Sequence, residues 1–544
     1  MDADNMVITY GRGRRTFSTG AVNLNIKPGE LVALVGGSGA GKSTVLNCLC
    51  GYHQPTKGSV YVNGIDLYRN FDSLKKTIGY VPQADIVYDN LTLEDMLSYT
   101  AKLRLPKDVS ASERAAAIER AIRTVELTDK KESLIKRMSG GQKKRASIAV
   151  ELISDPNLLF LDEPASGLDP GTERNLMQSL RQMADGGKTV VLVTHSTLQL
   201  SLCDKIVFMG KGGRLCFFGT LEESLRFFGV KDVVDVYDMI SSQPEYWSER
   251  FARMSSISPA VQVGARSIAK RKRRNLQLPV LCTRYLKLVI NDHQRLLLLI
   301  AQAPLLAFLI SLVADGEQFE VYDITKSLLF ALSCSAFWVG MLNAIQEVCK
   351  ERPILRREYM AGLSLGAYIL SKIAVLGLMC VIQSGLIVSV FSWTVGLPDE
   401  GVLFTPFLEF FITTLMTAIA STAMGLFVSS LFTNADRAMT VAPILLMPQI
   451  LFSGLIFKLE GPTELISWFA TCRWSMEGFG TTANLNNLPT ALQDQGIPIE
   501  REVEDFFTYT PEHMLNVWTI LVVFVVGFLL MSRVALTTIS RDHS

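Results

Sequence analysis

The chain has 544 residues, a length that favours more than one domain. Its 53 basic and 52 acidic residues leave a net charge of +1, which argues against nucleic-acid binding through an overall basic charge. Hydrophobic residues make up 49% of the chain but are unevenly placed, because residues 1–275 carry most of the charge and residues 294–544 contain long uncharged runs. This asymmetry predicts a soluble half followed by a membrane-embedded half.

The N-terminus is acidic and lacks the apolar run of a signal peptide, which predicts that the first half stays in the cytosol. After two short strand patterns around a turn at residues 11–15, Leu31–Val35 has the composition of a buried strand. It leads directly into residues 36–43, which read GGSGAGKS, and a helical pattern follows. This is GxxxxGK[ST] in the strand–loop–helix context that phosphate binding requires.

This loop predicts a site for ATP and Mg²⁺. Its glycines allow backbone N–H groups to face phosphate oxygens, Lys42 is expected to reach the β and γ phosphates, and the Ser43 hydroxyl is expected to bind Mg²⁺. The predicted contacts are Gly36, Gly37, Ser38, Gly39, Ala40, Gly41, Lys42, Ser43 and Thr44.

Two later segments suggest further phosphate chemistry. Residues 139–142 (SGGQ) form a glycine turn that opens a helix, a suitable place for an anion. The apolar strand at residues 158–161 ends in Asp162 and Glu163, two carboxylates suited to Mg²⁺ and a hydrolytic water.

Two more strand patterns end in polar side chains, Gln83 after residues 78–82 and His195 after residues 190–194. Residues 92–135 lie between the phosphate motifs and show helical spacing. The basic residues that follow the SGGQ turn are interpreted as a solvated helix face. They are Lys143, Lys144 and Arg145.

Residues 231–293 have the composition of a junction. The small and polar residues at 255–265 predict a mobile linker. The basic run at residues 270–274 (KRKRR) is compatible with a nucleic-acid patch, but the membrane segments that follow favour a cluster that meets anionic lipid.

A helix beginning near residue 281 is expected to lie in the plane of the inner leaflet, with Arg284 away from its apolar face. That face would consist of Leu281, Tyr285, Leu288 and Val289.

Six uncharged apolar segments follow, each long enough to span a bilayer. The distribution of basic and acidic residues between them predicts cytoplasmic termini and an acidic external loop at residues 458–513. Lys372 and Glu409 are expected at span ends, which favours an amphipathic cargo over an ion. The predicted spans are residues 296–314, 327–346, 373–397, 410–433, 438–457 and 514–532.

Within the predicted external loop, residues 464–477 carry aromatic side chains typical of a re-entrant or interfacial helix. Cys472 is the cysteine we place outside the membrane, and a free thiol is expected there, with a disulfide to a second copy as the alternative. Pro443 and Pro448 are expected to kink the fifth span, because each removes a backbone donor. The scattered cysteines without a CxxC spacing predict buried free thiols elsewhere.

The order of these motifs resembles the Walker A, Q-loop, signature, Walker B, D-loop and switch histidine of the ATP-binding cassette family. The resemblance implies an α/β P-loop nucleotide-binding domain over residues 1–230, with a RecA-like core and a helical subdomain. A linker and connecting helix would occupy residues 231–293, and an all-α six-helix transmembrane domain residues 294–544. This order resembles G-subfamily half-transporters with a type-2 export permease. Residues 63–70 (NGIDLYRN) look closer to bacterial relatives, some of which carry a forkhead-associated domain that is not expected here.

The same resemblance implies the catalytic and ligand-binding roles. Glu163 would be the general base, Gln83 and His195 would contact the γ-phosphate region, and Asp162 would hold Mg²⁺ together with Ser43 and Gln83. Tyr10 would stack on adenine, with a tyrosine packed on the sheet as the alternative. The residues that would close over ATP across a dimer are Ser139, Gly140, Gly141, Gln142 and Asp169.

Residues 347–358 read EVCKERPILRRE, which resembles a segment that docks on the nucleotide-binding domain in reversed-order half-transporters. Anchoring at the inner leaflet is the alternative. The candidates for transmitting motion are Arg352, Arg356, Arg357 and Glu358.

The predicted function is an ATP-driven exporter of an amphipathic or lipid-like substrate, located in the plasma (inner) membrane. It would act as a homodimer with two ATP sites, although a heterodimer remains open, and no nucleic-acid partner is expected. A cassette ATPase that drives a non-export envelope or signalling process is the alternative. A soluble SMC-like ATPase is not favoured, because long coiled-coil heptads are missing from the sequence and membrane spans are present.

Overall fold

The chain divides into two compact units, the first built mainly from residues 1–275 and the second from residues 276–359 and 363–542. The predicted turn at 11–15, the linker at 255–265 and the basic run at 270–274 lie outside the described residues. The computed structural model describes residues 1–10, 17–75, 77–106, 108–254, 277–314, 316–455, 461–490 and 504–540.

A six-stranded sheet forms the centre of the first unit. In spatial order its strands are β12 (Arg214–Gly219), β11 (Lys205–Gly210), β5 (Leu31–Val35), β10 (Thr189–Val193), β9 (Leu158–Asp162) and β8 (Ile78–Val81). All neighbouring pairs are parallel except β11 with β12. Every residue of β5, β9 and β10 is buried, as expected for a parallel sheet covered on both faces.

Smaller sheets flank this core. The turn at Asn63 and Gly64 has φ angles of 51° and 75°, which fits a tight hairpin. One antiparallel sheet has the order β4 (Val22–Asn25), β1 (Asp2–Val7), β6 (Lys57–Val62) and β7 (Ile65–Asp66), and a second pairs β2 (Thr9–Tyr10) with β3 (Phe17–Ser18).

The predicted helical subdomain is present between β8 and β9. Its helices α3, α4 and α5 begin at side-chain caps, and Arg104 of α3 pairs bidentately with buried Glu151 of α5 at 2.7 and 2.9 Å. The helices of the first unit are α1 (Lys42–Leu49), α2 (Phe71–Leu74), α3 (Leu93–Arg104), α4 (Ala111–Thr124), α5 (Gly140–Leu152), α6 (Pro170–Asp185), α7 (Leu221–Phe228), α8 (Val233–Ser242) and α9 (Pro244–Met254).

The first unit continues past residue 230, where the sequence suggested that a connector begins. Helix α9 packs on β12, and Trp247 is buried with its ring centroid 4.9 Å from that of Phe228. Phe251 lies one helical turn further on and contacts Phe217 of β12. Aromatic side chains four residues apart are therefore what fix this extension to the sheet.

The second unit is helical throughout its described residues. Five of its segments are long and apolar enough to cross a membrane: His293–Ser311, Tyr322–Met360, Leu365–Thr394, Pro406–Leu431 and Pro511–Ile539. Its helices are α10 (Gln277–Asn291), α11 (His293–Ser311), α12 (Tyr322–Ala344), α13 (Glu347–Met360), α14 (Leu365–Thr394), α15 (Pro406–Leu431), α16 (Ala435–Leu451), α17 (Pro462–Ser467), α18 (Thr471–Thr482) and α19 (Pro511–Leu536).

The predicted fifth span at residues 438–457 is wrong in its extent. Helix α16 has 17 residues and ends at Leu451, and turns and bends occupy residues 452–455. Its length is about 25 Å, against a hydrocarbon thickness of about 30 Å. Pro443 and Pro448 both lie inside this helix, as expected.

The segment at 464–477, expected to be re-entrant or interfacial, divides into two parts, because Leu465, Ile466, Trp468 and Phe469 are exposed whereas residues 471–477 belong to the buried helix α18. Every residue of α18 is buried, and the helix packs against α12, α15 and α19. Cys472 is fully buried under helices of its own chain as a free thiol, which opposes a disulfide to a second copy. Arg473 and Glu477 are buried with it, so hydropathy alone could not reveal that this polar segment lies inside the helical unit.

The connecting helix α10 departs from the leaflet prediction. It packs against α14, and Arg284 is buried, with two hydrogen bonds of 2.5 and 2.9 Å to Glu358 of α13. Position 284 lies three residues after Leu281 and directly before Tyr285, so it shares their buried face. Arg284 can be buried because the Glu358 carboxylate of a neighbouring helix neutralises its charge.

Candidate nucleotide-binding and hydrolysis site

The predicted phosphate residues gather at one edge of the six-stranded sheet. Strand β5 leads into the loop at 36–41, β9 ends at Asp162 before Glu163, β10 is followed by Thr194 and His195, and β8 is followed by Pro82 and Gln83. Because these four strands are parallel, their carboxyl ends lie at the same edge, where open α/β sheets bind ligands.

The loop after β5 is shaped for close backbone approach. Gly36 has a φ of 151°, and a Cβ there would lie 2.2 Å from the Met209 carbonyl oxygen, so another side chain does not fit. Lys42 is buried, and its Nζ donates to the carbonyls of Gly36 at 2.8 Å and Gly37 at 2.9 Å. Burial lowers the pKa of Lys42, while Glu163 and Asp162 act in the opposite direction. The ammonium thus already lies between the loop and the two carboxylates.

Ser43 and Asp162 form the part of the site that suits a divalent cation. The Ser43 Oγ donates to Asp162 Oδ1 at 2.9 Å, which places two oxygen ligands side by side. Burial raises the pKa of Asp162, and the nearby Glu163 raises it further. Among the described residues, no three His, Cys, Asp or Glu side chains are grouped in a way that suits a metal ion.

Glu163 lies between the two other predicted catalytic residues. Its Oε2 accepts a hydrogen bond from Gln83 Nε2 at 3.1 Å, and its Oε1 lies 2.9 Å from His195 Nε2. Its backbone φ of 51° is unusual for a residue with a side chain, and such strain is concentrated at functional sites. Residues brought together from three strand ends therefore hold one carboxylate from both sides.

Lys144 is a residue of this site that the sequence did not reveal. It was expected on a solvated face, yet its side chain is 3% exposed, and its Nζ donates to the carbonyls of Pro82 and Gln83. Lys144 shares a helical face with Ser147, Ile148 and Glu151, all buried. This helical spacing could have predicted that Lys144 is buried, but three of the four residues on the face are polar and therefore suggested a solvated face.

The SGGQ turn forms the start of α5. The Ser139 Oγ accepts from the Gln142 backbone N–H and the Gln142 Oε1 accepts from the Ser139 backbone N–H, so the two form a capping box. A Cβ on Gly141 would lie 2.7 Å from Leu168, so this helix start packs closely on the segment before Asp169. Ser139 and Gly140 are exposed and open to an external anion.

Asp169 is the exposed N-cap of α6. It accepts hydrogen bonds from the backbone of Gly171 and Thr172 and from the Thr172 hydroxyl. These bonds, chiefly that of the Thr172 side chain, lower the pKa of Asp169. The side chain of Tyr10 lies outside the described residues, and its backbone pairs with Phe17.

The four candidate coupling residues all lie on α13. Arg352 donates to the carbonyls of Ser430 at 3.0 Å and Phe432 at 3.2 Å, so it satisfies acceptors at the end of α15. Arg357 and Glu358 are buried, while Arg356 is partly buried. The segment at 347–358 is thus a helix that contacts α10, α14 and α15 of the second unit.

Charge inside the second unit is greater than the sequence suggested. Lys372 was placed at a span end, but it lies within α14, 1% exposed, and its Nζ is 2.7 Å from Glu351 and 3.4 Å from Glu347. Arg295 of α11 reaches Glu347 at 2.5 Å. Glu409 is also buried, and it accepts from the backbone N–H groups of Leu403 and Phe404.

Comparison with known families agrees with this geometry. Residues 19–166 match the family model described as ABC transporter, and residues 276–480 match the model described as ABC-2 type transporter. The chain belongs to the ABC transporter family. Its nucleotide-binding domain precedes its membrane domain, which is the order of reversed half-transporters.

Relatives align over most of this ABC transporter. The ABC transporter ATP-binding/permease protein Rv1747 of Mycobacterium tuberculosis is 31% identical over 88% of this chain, which spans 57% of that relative's length. ABC transporter G family member 21 of Arabidopsis thaliana is 29% identical over 81% of this chain and 73% of its own length. Protein white of Drosophila melanogaster is 26% identical over 82% of this chain and 71% of its own length.

Proposed function

We propose that the chain is an ATP-hydrolysing exporter that moves an amphipathic or lipid-like substrate out of the cell as a dimer of identical half-transporters. The observation that carries the proposal is the Glu163 carboxylate, held between Gln83 at 3.1 Å and His195 at 2.9 Å. It lies at the strand edge that also carries the phosphate loop and the paired Ser43 and Asp162. This set contains a base, phosphate ligands and cation ligands in one place.

ATP binding requires a rearrangement of Lys42. Its ammonium bonds carbonyls of its own loop, and it would exchange them for the β and γ phosphates as these enter the loop. The backbone N–H groups of residues 36–43 would then bind phosphate oxygens at the start of α1. Ser43, Asp162 and Gln83 would hold Mg²⁺, whose charge offsets the charge of the phosphates.

Hydrolysis then depends on Glu163. Its carboxylate would accept a proton from the attacking water, and Gln83 and His195 would orient it, as their present hydrogen-bond distances allow. His195 would also contact the γ-phosphate. The exposed Ser139–Gly140 end of α5 would close over ATP held by a second chain, with Asp169 lining the contact.

The membrane half would use this closure for transport. We place both termini and the nucleotide-binding unit on the cytoplasmic side of the plasma (inner) membrane, because basic residues flank the apolar helices there. Arg352, Arg356, Arg357 and Glu358 of α13 would transmit the motion and switch the helices from inward- to outward-facing. The apolar helices favour a lipid-like cargo over an ion, because the buried Lys372 between them is paired with Glu347 and Glu351 of its own chain.

The test uses the purified full chain in liposomes, with its ATPase rate measured against added amphipathic lipids. The proposal expects a rate that rises with at least one lipid class, falls to background when EDTA removes Mg²⁺, and is accompanied by lipid transfer between leaflets. Mass photometry should give the mass of two chains. Hydrolysis without any lipid transfer would contradict export, and a second protein that always co-purifies in equal amount would replace the homodimer with a heterodimer.

A further inference from the structure

A buried lysine connects the helix of the SGGQ turn with the loop that carries Gln83. The Nζ of Lys144 donates to the Pro82 carbonyl at 3.0 Å and to the Gln83 carbonyl at 2.6 Å, and it lies 3.8 Å from Asp85 Oδ1. A buried ammonium is stable only where oxygen atoms replace water. These three oxygens belong to residues 82–85, directly after β8, so Lys144 holds this short segment from a different element.

The segment that Lys144 holds is the one that orients Gln83. Its main-chain carbonyl bonds Lys144, and its side-chain Nε2 bonds the Glu163 carboxylate at 3.1 Å. Burial lowers the pKa of Lys144, whereas Asp85, Asp162 and Glu163 raise it, so the ammonium lies within the field of both acidic residues of the site. A continuous chain of contacts therefore runs from Lys144 through Gln83 to Glu163.

The position of Lys144 on α5 also connects these contacts to the SGGQ turn at the start of that helix. The helix begins at Gly140, so Lys144 lies one turn, or about 6 Å, from the exposed anion-binding end. In the proposed dimer that end closes over the ATP held by the other chain. The first turn of α5 would then contact the ATP held by the partner chain. The second turn, through Lys144, would position Gln83 at the ATP site of its own chain.

We propose that Lys144 is a positioning residue that sets Gln83 against Glu163, and that through α5 it makes turnover at one ATP site depend on occupancy of the other. The proposal rests on the dimeric ATPase function argued above. It assigns no chemical step to Lys144, which acts through the main chain of Gln83.

The first experiment measures ATP hydrolysis and binding by the full chain in liposomes for Lys144→Met, Lys144→Arg and Lys143→Met. Lys144→Met keeps the apolar stem but removes the donor, and kcat should fall about 10- to 100-fold, with the Kd for ATP changed less than about 3-fold. Lys144→Arg retains charge and donors, and it should recover kcat to within about 3-fold of the wild type. Lys143 pairs with exposed Asp89 instead, so Lys143→Met should stay within about 2-fold.

A double-mutant cycle with Gln83→Ala separates positioning from general structural damage. If Lys144 acts through Gln83, the variant carrying both Lys144→Met and Gln83→Ala should be no more than about 2-fold slower than Gln83→Ala alone. Independent effects would multiply, and that result would overturn the proposal. Wild-type kcat in a folded Lys144→Met protein would overturn it as well.

Stability is checked by thermal unfolding, because the substitution leaves buried carbonyls without a donor. Should Lys144→Met fail to fold, Lys144→Gln replaces it. Its amide still donates but is one bond shorter, so the loop must shift by about 1 Å, and kcat should fall at least about 5-fold. An unchanged kcat in that variant would overturn the proposal.

The link between the two sites is tested by the dependence of rate on ATP concentration. The wild type should show a Hill coefficient above 1, and Lys144→Met should reduce it to about 1. A wild-type value of about 1 would overturn the linkage. Failure of the underlying function is recognised separately, since Glu163→Gln would then retain hydrolysis whatever happens at Lys144.

Discussion

The two units of the chain use charged side chains in different ways. At the sheet edge of the first unit, Glu163 and His195 are partly exposed, and their partners come from separate strand ends. In the second unit, Lys372 of α14 and Arg295 of α11 both bind the buried carboxylate of Glu347 on α13. Charges of the first kind can exchange partners when a ligand arrives, whereas those of the second kind hold helices together. The difference separates the candidate reaction site from a set of buried ion pairs that holds helices together.

The largest expected effect comes from breaking a second buried ion pair of the helical unit, that of Arg284 with Glu358. Replacing Glu358 with Met leaves Arg284 buried without the carboxylate that now binds it at 2.5 and 2.9 Å. Removing one partner of a buried pair costs about 3–5 kcal/mol, so the apparent Tm of the full chain should fall clearly. The control replaces both Arg284 and Glu358 with Met, which should restore most of the stability. If the single variant unfolds like the wild type, the pair does not hold α10 to α13.

Replacing Lys42 is expected to lower stability less than replacing Glu358 does, but to weaken ATP binding. In Lys42→Met the phosphates lose one charged hydrogen-bond donor, worth about 1.5–3 kcal/mol, so the Kd for ATP should rise about 10- to 100-fold. The Tm should change by less than about 2 °C, because the ammonium bonds only carbonyls of its own loop. Fluorescent ATP titration checks the first result and calorimetry the second. A large loss of Tm with normal ATP binding would place Lys42 among the structural charges.

The smallest expected effect on stability comes from removing either of two similar helix capping boxes. Ser110 caps α4 with Glu113, and Ser139 caps α5 with Gln142. Ser110→Ala and Ser139→Ala should each lose about 1 kcal/mol of stability, because each removes one helix cap. Only Ser139→Ala should also reduce ATP turnover, since only that helix start is proposed to bind phosphate. Equal turnover in the two variants would show that the SGGQ turn is structural alone.

The sequence predicts local motifs well because their chemistry is contained in consecutive residues. The loop at 36–43 needs its glycines, Lys42 and Ser43 in that order, and β9 must end at Asp162 for the acidic pair to reach the sheet edge. The parallel sheet then follows from short, fully apolar strands alternating with helices. These features made the fold and most of the candidate site predictable.

The features that escaped prediction depend on partners distant in the chain. Lys144 was predicted to be solvated because its carbonyl acceptors lie about sixty residues earlier in the chain. Arg284 was placed away from the apolar face of its helix because its partner, Glu358, lies 74 residues later. Helix α18 contains Arg473 and Glu477, so its hydropathy resembles a loop although every residue is buried. Burial of a polar residue is decided by its partner, and one sequence does not show which residues become partners.

The most direct measurement compares ATP binding and hydrolysis in Glu163→Gln and the wild type, using the full chain in liposomes. The amide keeps the size of Glu163 and one acceptor oxygen but cannot act as a base, so kcat should fall about 10²- to 10⁴-fold. The Kd for ATP should remain within about 2-fold, because Lys42 and the loop are unchanged. Hydrolysis at the wild-type rate would contradict the assignment of Glu163 as the base and, with it, the proposed catalytic edge.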